Sequence, residues 1–129
     1  AGSHGSTYGG NPLGCAVGRA VLDIVAEPAF LAEVGRKAGL LRQGLEGLVA
    51  AHPALFEEVR GAGLMLGLKC RRAPADLVQA GYAEAVLTVP AADDVVRLLP
   101  PLTISEAEIA EALARLDRAA ARVAADAAA

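Results

Sequence analysis

Residues able to do chemistry are sparse in this sequence and gather in two places. The first is the run Gly5-Ser6-Thr7-Tyr8-Gly9-Gly10-Asn11-Pro12. Glycines let a backbone approach a ligand closely, and Ser6 and Thr7 add hydroxyls. Asn11-Pro12 reads as a helix start, whose terminus carries partial positive charge. That combination suits a phosphate. The spacing matches neither GxxxxGK[ST] nor GxGxxG, so neither nucleotide-binding loop is implied, and a plain capped lead-in to a helix is the alternative. The second place is Arg97, inside Val95-Val96-Arg97-Leu98-Leu99. A guanidinium in an apolar strand faces solvent, pairs with a carboxylate, or opens on a cleft where its fork takes a ligand carboxylate. Arg60, before Gly61-Ala62-Gly63, poses the same choice and reads as structural.

The other titratable residues form no constellation. Lys37 falls on the polar face of a helix, and Lys69 alternates away from Leu66 and Leu68. His52 precedes Pro53 at a helix end, where a solvated cap is expected. His4 stands alone in the opening loop. Glu57 and Glu58, as neighbours on a strand, point to opposite faces and make no acid/base pair. Cys15 and Cys70 have no CxxC spacing and no adjacent His, so both read as free thiols of a reducing compartment. No metal site and no catalytic residue is assigned within the chain.

The elements that position these groups follow from periodicity. A first helix begins at Asn11-Pro12, carries Leu13, Val17, Ala20, Val21 and Ile24 on one face, and ends at Glu27-Pro28. A second carries the stripe Phe30, Val34, Ala38, Leu41, Leu45, Leu48 and stops at His52-Pro53. The period then changes. Strands are predicted over 56–60 and 64–69 around a Gly61-Ala62-Gly63 turn, a short helix over 75–80 stopped near Gly81, and strands over 85–89 and 95–99 around a tight loop. Ser105 and Glu108 form a capping box, and Ile109, Leu113, Leu116, Ala120 and Val123 continue as a helical stripe. The predicted fold is α+β, a small sheet of about four short, mainly antiparallel strands with helices packed on one face.

Composition agrees with one compact domain. The 129 residues are 54% hydrophobic and 21% charged, enough apolar material to bury a core without a disulfide or metal. A net charge of −3 speaks against nucleic acid. No stretch is long and apolar enough for a membrane span, and the N-terminal residues lack the basic and apolar regions of a signal peptide.

Three segments carry a family resemblance: HGSTYGGNPLGCAV (His4 to Val17), EVRGAGLMLGLK (Glu58 to Lys69) and LTVPAADDVVRLLPPLTISEAEI (Leu87 to Ile109). In this order, and covering most of the chain, the sequence resembles the acetylornithine and ornithine aminotransferases of the class-III, pyridoxal-phosphate-dependent transaminase family. The last segment points to the acetylornithine branch. Two departures stand out: Ala92-Asp93-Asp94 where relatives are expected to carry a Gly and an Asn, and Gly14 where Ala is commoner.

The resemblance implies the C-terminal domain of a fold-type I aminotransferase, divided as 1–11 cofactor-proximal loop, 12–27 connecting helix and 28–129 C-terminal small domain. It implies pyridoxal 5'-phosphate as cofactor. Thr7, with Ser6 beside it, would bind the cofactor phosphate, Thr7 acting across the interface of a homodimer. Arg97 would bind a substrate carboxylate. The lysine that holds the cofactor covalently, and the large cofactor-binding domain, are expected upstream of this chain, so these residues alone are expected to be inactive. The implied reaction passes an amino group from N-acetylornithine to 2-oxoglutarate in arginine biosynthesis, in the cytoplasm. The alternatives are a related segment acting on ornithine, succinylornithine or 4-aminobutyrate, and a non-catalytic module that binds a partner.

Overall fold

A computed structural model describes residues 5–126, in two units, the first ending at Glu33 and the second beginning at Val34. His4 and residues 127–129 of the alanine tail lie outside the described residues. In the first unit the Asn11 backbone N–H (3.3 Å) and side-chain Nδ2 (2.7 Å) both donate to the Tyr8 carbonyl. Gly10 sits in that turn at φ +77°, a conformation glycine adopts without a Cβ clash. Helix α1 (Pro12–Val25) follows, with Asn11 as its N-cap: Oδ1 accepts from the Gly14 N–H at 2.8 Å. Pro12 occupies the first turn, where no N–H is needed. The apolar face is present as the spacing predicts, but no α1 residue is buried; Leu13, Val17, Val21 and Ile24 are all exposed. Helix α2 (Pro28–Ala51) begins two residues after the α1 C-cap.

The second unit is built on a four-stranded sheet. Its strands are β1 (Phe56–Ala62), β2 (Met65–Cys70), β3 (Val89–Ala91) and β4 (Val95–Leu98), in the order β1-β2-β4-β3 with every pairing antiparallel. On β2, Leu66 and Leu68 point inward and are buried and Met65 is exposed, while Gly67 on the outer face is covered as well. Val96 and Leu98 of β4 fall on the same inner face. Against it pack Ala38, Leu41, Leu45 and Leu48 of α2, Leu77 and Val78 of α3 (Pro74–Ala83), and Ile109, Leu116, Ala119 and Ala120 of α4 (Glu106–Asp126). The core is one cluster of mostly Leu, Val and Ile, with alanines on α4 bringing that helix close. Ser105 and Glu108 form the expected capping box: Ser105 Oγ accepts from the Glu108 N–H (3.2 Å), and Glu108 Oε2 accepts from the Ser105 N–H (2.8 Å). Among the described residues no helix is long and apolar enough to cross a membrane.

Five local expectations give way to tertiary context. The β1–β2 turn is Gly63-Leu64, not Gly61-Ala62-Gly63; β1 continues through Ala62, which pairs with Met65. Helix α3 does not stop near Gly81 but runs through it to Ala83, because the bare Gly81 lets the returning chain close in, with the Val86 N–H donating to the Gly81 carbonyl at 2.9 Å. The third strand is not 85–89: Ala85 takes φ +55° to leave the helix, and pairing starts only at Val89. Pro90 is tolerated there because β3 is an edge strand. The register shifts between Phe56 and Glu58, so Glu57 is an extra residue and both glutamates are exposed rather than divided between faces. His52 is no solvated cap; its side chain is largely covered, with Nε2 2.7 Å from Asp117 Oδ1 of α4.

Candidate functional site

Ser6 and Thr7 belong to the first unit and Arg97 to the second, and each part is described by itself. Both hydroxyl residues are exposed, just before the Tyr8–Asn11 turn. A Cβ built at Gly9 would sit 3.1 Å from Ser6 Cβ and 3.2 Å from its Oγ, so glycine there leaves the Ser6 hydroxyl uncrowded. The helix terminus has less to offer than its sequence suggests. The Gly14 N–H is taken by Asn11 Oδ1 and the Cys15 N–H by the Asn11 carbonyl, while Pro12 has none. Two open hydroxyls beside a tight glycine turn fit a phosphate group, and of the first helical N–H groups only that of Leu13 is left to join them.

Arg97 lies on the outer face of the sheet. Antiparallel partners share a face, so the register Arg60↔Gly67↔Arg97↔Val89 is one row across that face, and Glu58↔Lys69↔Val95↔Ala91 is the next. A shallow depression of about 160 Å³ is lined by Arg60, Met65, Gly67, Ala91, Val95 and Arg97. Val95 leans into the space a Gly67 side chain would fill, its Cγ1 being 2.5 Å from an ideal Cβ there. Arg97 is exposed and makes no hydrogen bond or ion pair among the described residues.

The neighbouring cations are all engaged. Arg60 Nε donates to Glu58 Oε1 at 2.6 Å and its Nη1 to Asp93 Oδ2. Lys69, only 13% exposed at its side chain, donates from Nζ to the Asp93 carbonyl (2.6 Å) and Asp93 Oδ1 (3.1 Å). These bonds, the one from Arg60 foremost, hold the Asp93 carboxyl below its usual range. Asp93 and Asp94 turn the β3–β4 loop at φ +62° and +51°, and the Asp94 carbonyl accepts from the Cys70 N–H at 2.7 Å. Lys69 is therefore a structural cation rather than an open amine, and Lys37 is also engaged.

Sequence reasoning singled out Arg97 but not its setting. In the sequence Asp93 stands out only as a departure of its loop, because nothing in a linear pattern shows that a hairpin tip reaches cations on two other strands. A second network was invisible for the same reason. Glu84, at the α3 C-cap, accepts from Arg118 Nε (2.7 Å) and pairs with Arg122 Nε (2.6 Å), while Arg115 Nη1 donates to the Ala85 carbonyl (2.9 Å). The Arg118 bond chiefly lowers the Glu84 pKa. Cys15 is exposed and Cys70 buried, both as free thiols; burial pushes the Cys70 thiol up to about 11. No three His, Cys, Asp or Glu among the described residues are grouped to hold a metal.

An antiparallel β1-β2-β4-β3 sheet with helices on its inner face accords with the C-terminal domain of a fold-type I aminotransferase. The family model for class-III aminotransferases matches residues 1–120, and the chain belongs to that family. It is 69% identical over 121 residues to the acetylornithine aminotransferase of Rhodobacter capsulatus, covering 94% of this chain and 31% of that protein. It is 54% identical over 127 residues to the acetylornithine aminotransferase of Mesorhizobium japonicum, covering 98% of this chain and 32% of that protein. Among solved structures, the N-acetylornithine aminotransferase from Stenotrophomonas maltophilia superposes with a TM-score of 0.82 at 36% identity, over 91% of this chain and 33% of that one. The chain thus spans about a third of the length of the relatives it matches.

Proposed function

We propose that this chain acts as the C-terminal portion of an acetylornithine aminotransferase, moving an amino group between N-acetylornithine and 2-oxoglutarate in arginine biosynthesis. The observation that carries the reading is the 69% identity to the Rhodobacter capsulatus protein of that name, sustained over 94% of this chain. Pyridoxal phosphate, when bound, supplies the electron sink for amino transfer. Ser6 and Thr7 donate hydroxyl hydrogen bonds to its phosphate, Thr7 across the interface of a cytoplasmic homodimer. Arg97 receives a carboxylate common to the amino-acid and 2-oxo-acid substrates and orients both for transfer; its fork has no partner among the described residues. Lys37 and Lys69 are both engaged, which supports a cofactor-binding lysine outside these 129 residues and an inactive isolated chain.

In the complete enzyme, Arg97→Leu is expected to raise KM for both carboxylate substrates by about tenfold to a hundredfold, the loss of one charge-assisted contact. Thr7→Val is expected to weaken pyridoxal-phosphate binding by about tenfold, read by equilibrium dialysis. Wild-type KM values in the first variant would remove Arg97 from the site, and unchanged cofactor affinity in the second would remove Thr7.

A further inference from the structure

The outer face of the sheet carries two arginines in one cross-strand row, with Gly67 between them, yet offers only one. Arg60 and Arg97 sit on strands either side of β2, so their Cα atoms are about 10 Å apart, two inter-strand spacings. Both line the same depression, and their long side chains can reach a shared ligand. Unrestrained, the pair would bind a molecule bearing two carboxylates, one at each guanidinium. Arg60 is held at two of its three nitrogens by carboxylates that a ligand would have to compete with. Glu58 Oε1 takes its Nε and Asp93 Oδ2 takes its Nη1, whereas Arg97 has no partner among the described residues. Glu58 comes from the same strand, two residues away. Asp93 comes from the β3–β4 loop, and is placed there by a left-handed backbone and by Lys69.

We infer that Asp93 is a specificity-determining positioning residue: by holding the Nη1 edge of Arg60 it leaves Arg97 as the single open guanidinium of this face, so that the depression accepts one carboxylate and does not bridge two. The inference rests on the reading of Arg97 as a carboxylate receptor. Asp93 touches no ligand; it acts through Arg60. Asn is nearly isosteric with Asp and tolerates φ +62°, so Asp93→Asn removes charge without imposing backbone strain. It replaces the charged partner of Arg60 Nη1 by a neutral, weaker acceptor that a ligand carboxylate can displace, while the Nε contact to Glu58 remains.

The test uses the complete protein and two probes of similar chain length, butyrate with one carboxylate and glutarate with two, titrated by calorimetry. In Asp93→Asn, glutarate is expected to gain about fivefold in affinity relative to butyrate, the scale of one partly exposed ion pair. Adding Arg60→Gln to that variant is expected to return the ratio to its wild-type value. Glu58→Gln opens the other edge of the same guanidinium and should shift the ratio in the same direction, which keeps the test decisive if Asp93→Asn does not fold. A ratio unchanged in both single variants overturns the inference, as does a gain that survives without Arg60. Failure of the underlying reading is seen separately: butyrate affinity would then be indifferent to Arg97→Leu.

Discussion

At the scale of single residues, position on a face decides what a charged group can do. Arg60 and Arg97 have the same side chain in the same row of the sheet. One is a structural cation because two carboxylates reach it, and the other is open because none among the described residues does. Gly61 shows the same dependence on place. It takes φ +107°, and a Cβ there would lie 2.2 Å from the Met65 carbonyl oxygen. Its own carbonyl accepts from Arg42 Nη2 at 2.6 Å, so the strand cannot simply shift aside. Gly61→Ala is expected to cost about 3 kcal/mol, from backbone strain and a main-chain clash, measured as a lower urea midpoint. Cys70 makes a second residue-scale prediction. Its thiol, raised to about 11 by burial, stays protonated at pH 8 and is shielded from reagent. Iodoacetamide at pH 8 is expected to leave Cys70 unmodified in the folded protein and to alkylate it in urea, as read by peptide mass spectrometry.

At the scale of elements, those stabilised within their own segment were legible and those completed by a neighbour were not. The α4 start was readable because Ser105 and Glu108 satisfy one another three residues apart. Ser105→Ala is expected to cost about 1 kcal/mol, measured by thermal or urea unfolding. The α2 and α4 stripes were readable because their burial repeats with the helix period. The third strand was misplaced because Ala85-Val86-Leu87-Thr88 has strand composition but leaves α3 through a left-handed Ala85, and only Val89 to Ala91 find a partner on β4. Short strands carry little local information; their limits are set by where the pairing strand begins. The Gly63-Leu64 turn differs from the glycine-marked one for the same reason: Gly61 is needed for a close crossing inside the ladder rather than for the reversal.

At the scale of the whole molecule, charge networks tie segments that are distant in sequence. Glu84 is held by Arg118 and Arg122, Asp93 by Arg60 and Lys69, and Glu108 by the Ser105 N–H and hydroxyl. All three carboxyls titrate below their ordinary values of 4.5, 3.8 and 4.5. A carboxylate with a lowered folded pKa contributes stability that is fully present above its unfolded pKa and is lost as pH falls through the folded one. Urea midpoints are therefore expected to change little on this account between pH 7 and about 5.5, and to fall progressively below about pH 4.5. Replacing Glu84 by Gln should flatten part of that acid limb; an unaltered limb would assign the acid sensitivity elsewhere.

The sequence by itself determined the helices, the α+β class, the inward Leu alternation of β2, and the two groups proposed to meet a phosphate and a carboxylate. Each of these is a property of residues a few positions apart: a cap, a period, a hydroxyl next to a glycine turn. Tertiary structure alone decided which cations are spent and which is open, since Asp93 reaches Arg60 across 33 positions and Glu84 reaches Arg118 across 34. Pairing in space between such distant groups leaves no trace in local spacing, so the chemistry of the outer face became readable only once the strands were in register.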